Sequence, residues 1–222
     1  MILGAKIQIF RIFACMKTTI FLVRHGETVD NARQIMQGQT QGELNEQGIE
    51  QAQQVAQRLA KETIDAVVAS DLHRAIQTAA FIAAPHGLPV ETTPLLRERD
   101  WGGFTGRYIP ELKGEVWPDD IESEETLLLR ARDFLLYLTA TYPGKRVVAV
   151  GHGIINKAIL AVYARCTMRE VQRMMNAEVR LLTTSAESTA SAAVTASLAA
   201  SAAAVTSSKG TAAHATGSAT AE

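Results

Sequence analysis

Between Thr18 and Thr183 the apolar positions come in two alternating textures. Short runs rich in β-branched residues occur at Thr18–Val23, Ile64–Ala69, Val90–Thr93, Arg146–Val150 and Val179–Thr183, and such runs read as strands. Between them lie longer stretches whose apolar residues recur at helical spacing. Asn45 caps a helix predicted to reach Lys61, with Ile49, Ala52, Val55, Ala56 and Leu59 on its apolar face. A second helix is predicted from Leu72 to Ala84, stopped by Pro85. The longest spans Ser123 to Tyr142, with Ser123 as its cap, two glutamates in the first turn where the helix dipole favours anions, and Pro143-Gly144 as its stop. A last helix, Gly153 to Ala164, follows the fourth strand directly. Strand and helix alternate, so the predicted fold is α/β: a three-layer α/β/α sandwich with a mostly parallel central sheet buried on both faces.

The flanks read differently. In residues 1–15, Lys6 and Arg11 interrupt every apolar stretch, so a signal-peptide core is missing. We take Met16 as the natural start and 1–15 as an upstream extension. The folded domain is assigned to 16–182. From Thr183 to Glu222 the chain is almost wholly Ala, Ser and Thr, without an aromatic residue. That composition has too little large apolar surface to offset its ordering entropy and predicts a disordered low-complexity tail. Its alanine-rich part, Ala190 to Val205, has the propensity for a transient helix.

Composition narrows the function. Of the 222 residues, 47% are hydrophobic, enough for an ordinary core. The balance of 22 basic against 23 acidic side chains argues against a nucleic-acid binder or a polybasic membrane-surface protein. No apolar run is long enough for a transmembrane helix, and a cytoplasmic protein is expected. Cys15 and Cys166 lie far apart and outside any Cys/His cluster, so neither a disulfide framework nor a structural zinc is indicated.

In open α/β sheets ligands bind at the carboxyl ends of the strands, and the polar clusters fall there. Arg24-His25-Gly26-Glu27-Thr28 follows the first strand, Ser70-Asp71-Leu72-His73-Arg74 the second, and Gly151-His152-Gly153 the fourth. Two arginines and two histidines therefore converge on one edge as an anion pocket. Guanidinium groups hold phosphate oxygens in a fork, and helix N-termini add backbone N–H groups. A phosphate monoester is the natural occupant. With a glutamate nearby, phosphoryl transfer becomes possible without a metal, because arginines can neutralise the phosphoryl oxygens, and a neutral histidine is a competent nucleophile at phosphorus. The run from Gly151 to Asn156 imitates a dinucleotide fingerprint, but Asn156 stands where its third glycine belongs, and that reading is rejected.

The block from Arg24 to Thr28 with Asn31 closely resembles the signature of the histidine phosphatase superfamily, the phosphoglycerate mutase-like proteins. The resemblance continues in Ser70 to Ala79, in Leu96 to Gly106, in Glu122-Ser123 with Arg130, and in Val150 to Gly153, in the family's order. It implies that His25 is the nucleophile that becomes phosphorylated. Arg24, Arg74 and His152 would grip the phosphoryl group, and Asn31 would hydrogen-bond it. Glu98 would protonate the leaving alcohol and then deprotonate the attacking water. No cofactor or metal is implied, and the expected partner is a small-molecule phosphomonoester.

Each assignment has a rival. Arg24 and Arg74 could be salt-bridged surface arginines, with Asp71 a ready partner for Arg74. Glu27, Glu43 and Glu111 compete with Glu98, and Asn31 could be a turn residue. His73, His86 and His214 read as surface residues, while Thr28 and Ser123 could serve only as helix caps. The family's usual Asp-x-Pro-Leu-Thr is replaced by Gln41-Gly42-Glu43-Leu44-Asn45, and Ile121 replaces the glycine expected before Glu122-Ser123. After the strand near Val179 the family pattern gives way to Ala, Ser and Thr. A missing final packing element would forfeit burial worth about 25 cal/mol per Å² of apolar surface. The segment Arg107 to Ile121 is short, whereas the family's glycolytic mutases carry a long insertion there that shields the phosphoenzyme from water. The expected activity is therefore a phosphatase, with a mutase and a non-catalytic phosphate-binding module as alternatives. Trp101, Phe104, Tyr108 and Trp117 are the expected pocket walls.

Overall fold

The computed structural model describes residues 16–186 together with 188 and 189; the predicted extension over 1–15 and nearly all of the predicted tail lie outside them. Strands β1 (Thr18–Arg24), β2 (Ala66–Ser70), β3 (Val90–Thr93), β4 (Arg146–Gly151) and β5 (Val179–Thr184) form one sheet in the order β3-β2-β4-β1-β5. The pairs β1–β4, β2–β4 and β2–β3 are parallel, and β5 runs antiparallel to β1.

Alternate residues of each strand point to opposite faces, and two cores result. Ile20, Leu22, Val68, Val147 and Ala149 face helices α4 (Glu124–Thr141) and α5 (Gly153–Ala164), packing against Leu127, Phe134, Leu138, Ile155 and Ile159. Phe21, Val23, Val67, Val148 and Val150 face α2 (Glu46–Leu59) and α3 (His73–Ala83), packing against Val55, Leu59, Ala75, Ala79 and Ile82. The three layers predicted from the alternation are present, and the central strands are buried on both faces.

Several predicted boundaries need correction. β2 starts at Ala66 rather than Ile64, because the Asp65 carboxylate is drawn aside to Arg146 N and Lys145. The first long helix ends at Leu59, and the second begins at His73. That second helix does stop before Pro85, ending at Ala83 with Ala84 as its cap, and a 3₁₀ turn then runs through Ala84–His86 to Gly87 with φ +64°. A short helix α1 (Val29–Ala32), absent from the predicted set, follows the first strand, with Thr28 and Asn31 in a reciprocal capping box. Asn45 and Ser123 cap α2 and α4 as predicted.

Ile49 was expected on the buried face of α2 but is exposed. Gly48 is turned inward instead, because the helix presses on the loop after β1. A Cβ on Gly48 would lie 1.9 Å from Glu27 O, and one on Gly26 would lie 2.4 Å from Gly48 O. Only glycine permits that backbone-to-backbone approach.

Candidate active site

β1 and β4 are neighbours in parallel register, with Arg24 opposite Gly151. Their carboxyl ends therefore deliver His25 and His152 side by side. The rings lie 5.0 Å apart between centroids at 61°, and both residues are buried.

Their hydrogen bonds set opposite tautomers. His25 Nδ1 donates to Gly26 O at 2.6 Å, which leaves the Nε2 lone pair free. His152 Nδ1 accepts from Arg74 Nε at 3.2 Å, so its proton resides on Nε2, a buried donor with no acceptor among the described residues. Burial, then the Arg74 and Arg24 charges, hold His25 well below the ordinary imidazole range. Burial and Arg74 do the same to His152. Both rings are neutral at pH 7.

Arg74, on α3, is 1% exposed. Besides His152 it donates to the carbonyls of Gly38, Thr40 and Gln41, so one N–H of the five in its fork is left over. Asp71 is not its partner: that carboxylate pairs with Arg97. The rival reading of Arg74 as a surface ion pair fails. Arg24 donates through Nη1 to Met174 O at 2.7 Å, while its buried Nε has no acceptor. Burial pulls both guanidinium groups down to about 10, with Arg173 and Arg74 adding to the effect at Arg24; both stay charged at neutral pH. Leaving a buried donor unsatisfied costs about 1–3 kcal/mol. Arg24 Nε and His152 Nε2, with the spare N–H of Arg74, form a cluster of donors suited to a tetrahedral oxyanion.

Glu98 is buried at the start of α5, where its carboxylate accepts N–H bonds from Arg99, Ile154 and Ile155 at 2.9 to 3.1 Å. The rival glutamates are elsewhere. Glu27 accepts from Asn45 Nδ2 at the α2 cap, and Glu43 and Glu111 are exposed. Asn31 is half-buried, and its Oδ1 accepts from Thr28 N and Asn176 Nδ2, so its own amide donors are uncommitted among the described contacts. His73 is exposed and His86 half-buried; His214 lies outside the described residues.

Two residues at this edge were not foreseen. Asn176 donates to His25 O and to Asn31 Oδ1, each at 3.2 Å. Arg173 lays its guanidinium on the first turn of α5, its Nε 2.8 Å from where a Gly153 Cβ would stand. Both sit in an irregular stretch with no periodicity to flag it. Of the expected walls, Trp101, Phe104 and Trp117 cluster edge to face, with Arg99 stacked 4.9 Å and 5.3 Å from the two indole centres. Tyr108 stands apart from that cluster, exposed, with its backbone bridged to Ile35. Among the described residues, no group of three or more His, Cys, Asp or Glu side chains could hold a metal ion, and no helix is long and apolar enough to cross a membrane.

The family model described as histidine phosphatase superfamily (branch 1) matches residues 20–197. A phosphoglycerate mutase-like protein 4 of Arabidopsis thaliana is 37% identical over 179 residues, covering 73% of this chain and 77% of that protein. A metal-independent phosphoserine phosphatase of the same plant is 37% identical over 183 residues, covering 74% and 76%. Among solved structures, a mycobacterial glucosyl-3-phosphoglycerate phosphatase superposes with a TM-score of 0.69 at 28% identity, covering 75% of this chain and 90% of that one.

Proposed function

From the premise that this chain belongs to the histidine phosphatase superfamily, branch 1, we infer that it is a phosphoric monoester hydrolase that acts without a metal, through a phosphohistidine, on a small phosphorylated metabolite. One observation carries the reading: two buried imidazoles held in opposite tautomers, one offering a lone pair and the other a proton. His25 Nε2 forms a bond to phosphorus as the ester P–O bond breaks, and Glu98 gives its proton to the departing oxygen. Water then attacks the phosphorus, Glu98 takes up its proton, and the P–N bond breaks to return a neutral His25 and inorganic phosphate. Arg24, Arg74, Asn31 and the Nε2–H of His152 hold the phosphoryl oxygens, with their charge and dipoles already oriented.

Hydrolysis is favoured over transfer to a second acceptor by the lip beyond the aromatic cluster. Glu111 and Lys113 to Trp117 are exposed, and the segment carries only one 3₁₀ turn, Ile109–Leu112. Water can reach the phosphohistidine past so short a segment.

The test is to mix the protein with a labelled phosphomonoester, quench, and look for an acid-labile, base-stable adduct. Wild type should label and release phosphate, unaffected by EDTA, while His25→Ala does neither. Turnover by His25→Ala, or its loss with a chelator, would overturn the mechanism. Stoichiometric transfer to a second phosphate acceptor would make the protein a mutase, and neither adduct nor turnover on a broad panel would make it a binding module.

A further inference from the structure

The family block Glu122-Ser123 with Arg130 has no part in the cradle, yet it contains a well-buried ion pair. Arg130, on the second turn of α4, meets Glu122 in a two-pronged contact: Nε to Oε1 at 3.0 Å and Nη2 to Oε2 at 2.7 Å. The side chains are only 16% and 10% exposed.

The remaining valences of the pair all go to one strip of chain. Arg130 Nη1 donates to Leu95 O and Arg97 O, and Nη2 reaches Glu98 O at 3.4 Å. Glu122 Oε2 accepts from Asp100 N at 3.2 Å, Glu122 N donates to Asp100 O at 3.0 Å, and Glu122 O accepts from Arg99 Nε at 2.7 Å. Residues 97–101 form neither helix nor strand. Nothing periodic fixes the backbone that carries the Glu98 carboxyl. A single guanidinium binds two of its carbonyls and that of Leu95 in the 3₁₀ turn just before it, and a single carboxylate seats its far end.

We propose that the Arg130–Glu122 pair is a positioning device that sets where Glu98 holds its proton relative to the leaving oxygen. The inference rests on the reading of Glu98 as the acid. Arg130 itself acts only through the backbone of residues 95–98. A planar, five-donor fork suits this task; a lysine ammonium keeps the charge but lacks the planar fork that bridges the carboxylate and three carbonyls.

Leaving groups separate this role from a merely structural one. A p-nitrophenolate departs without a proton, whereas an alkoxide requires one, and general acid catalysis supplies about 10²–10⁴-fold. The readout is the ratio of kcat/KM for an alkyl phosphate, such as phosphoserine or glycerol phosphate, to that for p-nitrophenyl phosphate. Glu98→Gln should lower this ratio by roughly 10²-fold or more. Arg130→Met should lower it at least tenfold, with Arg130→Lys and Glu122→Gln following the same trend. These last two keep polar side chains of similar size and serve if Arg130→Met fails to fold. A ratio unchanged in the Arg130 and Glu122 variants, while Glu98→Gln shifts it, overturns the proposal and leaves the acid assignment standing. If Glu98→Gln itself leaves the ratio untouched, the acid assignment falls, and the proposal with it.

Discussion

Mild acid should destabilise this fold through its two histidines. Burial, then the neighbouring arginine charges, keep His25 and His152 well below the ordinary imidazole range in the folded chain. In the unfolded chain each titrates near the usual value of about 6.5. Above that pH both states hold neutral rings, and there is no effect. Below it the unfolded chain gains protons that the folded chain refuses, so stability falls until the depressed folded value is reached. For one ring that stays neutral in the fold, RT ln(1 + 10^(6.5−5.0)) is about 2 kcal/mol at pH 5.0, and the pair together about 4 kcal/mol. That is a large share of a typical stability of about 5–15 kcal/mol. Urea unfolding of wild type and His25→Asn at pH 7.5 and pH 5.0 isolates one ring, because every carboxylate is common to both proteins. Between the two pH values the wild type should lose about 2 kcal/mol more than the variant. Equal losses would show that His25 takes up its proton in the fold, and the account of its neutrality would be wrong.

Three further expectations follow from the geometry. Gly48→Ala drives a methyl group into Glu27 O; overpacking of this kind costs about 1–3 kcal/mol, read by urea unfolding, and wild-type stability would refute the close contact. His152→Phe removes the Nε2–H donor and leaves Arg74 Nε without its acceptor, so kcat should drop by roughly 10²–10³-fold, and a loss confined to KM would contradict a role at the transition state. Arg173→Ala should weaken inhibition by vanadate roughly two- to fivefold, less at high salt because the side chain is exposed; a salt-independent effect would point to a structural role instead.

The layers and the edge that carries the site were legible in the chain because both rest on local signals. Runs such as Phe21-Leu22-Val23 have one conformation that buries both faces, and Asn45 and Ser123 advertise helix starts through their side-chain chemistry. What escaped depends on long-range approach. Gly48 carries no hydrophobic signature, so nothing local distinguishes it from Ile49; the distinction arises only when α2 meets the loop after β1. Asp71 lies three residues before Arg74, which made it the obvious partner, but the fold brings Arg97 to it from across the sheet end. Arg173 and Asn176 precede β5 in irregular chain, and only the antiparallel return of that strand beside β1 carries them to His25. That strand reaches Thr184, one residue past its expected end at Thr183; the doubt about a final packing element concerned the chain beyond it, nearly all of which lies outside the described residues.

The crowding of like charge around His25 has an effect outside catalysis. Arg24, Arg74 and Arg173 all disfavour further positive charge at that ring, so an unliganded site concentrates repulsion at the seam between β1 and β4. Any tetrahedral oxyanion relieves it, including the one the reaction releases. Orthophosphate must therefore both slow turnover and raise the melting temperature, as a ligand of the folded state does. Free orthophosphate would thus act as brake and preservative through a single set of contacts.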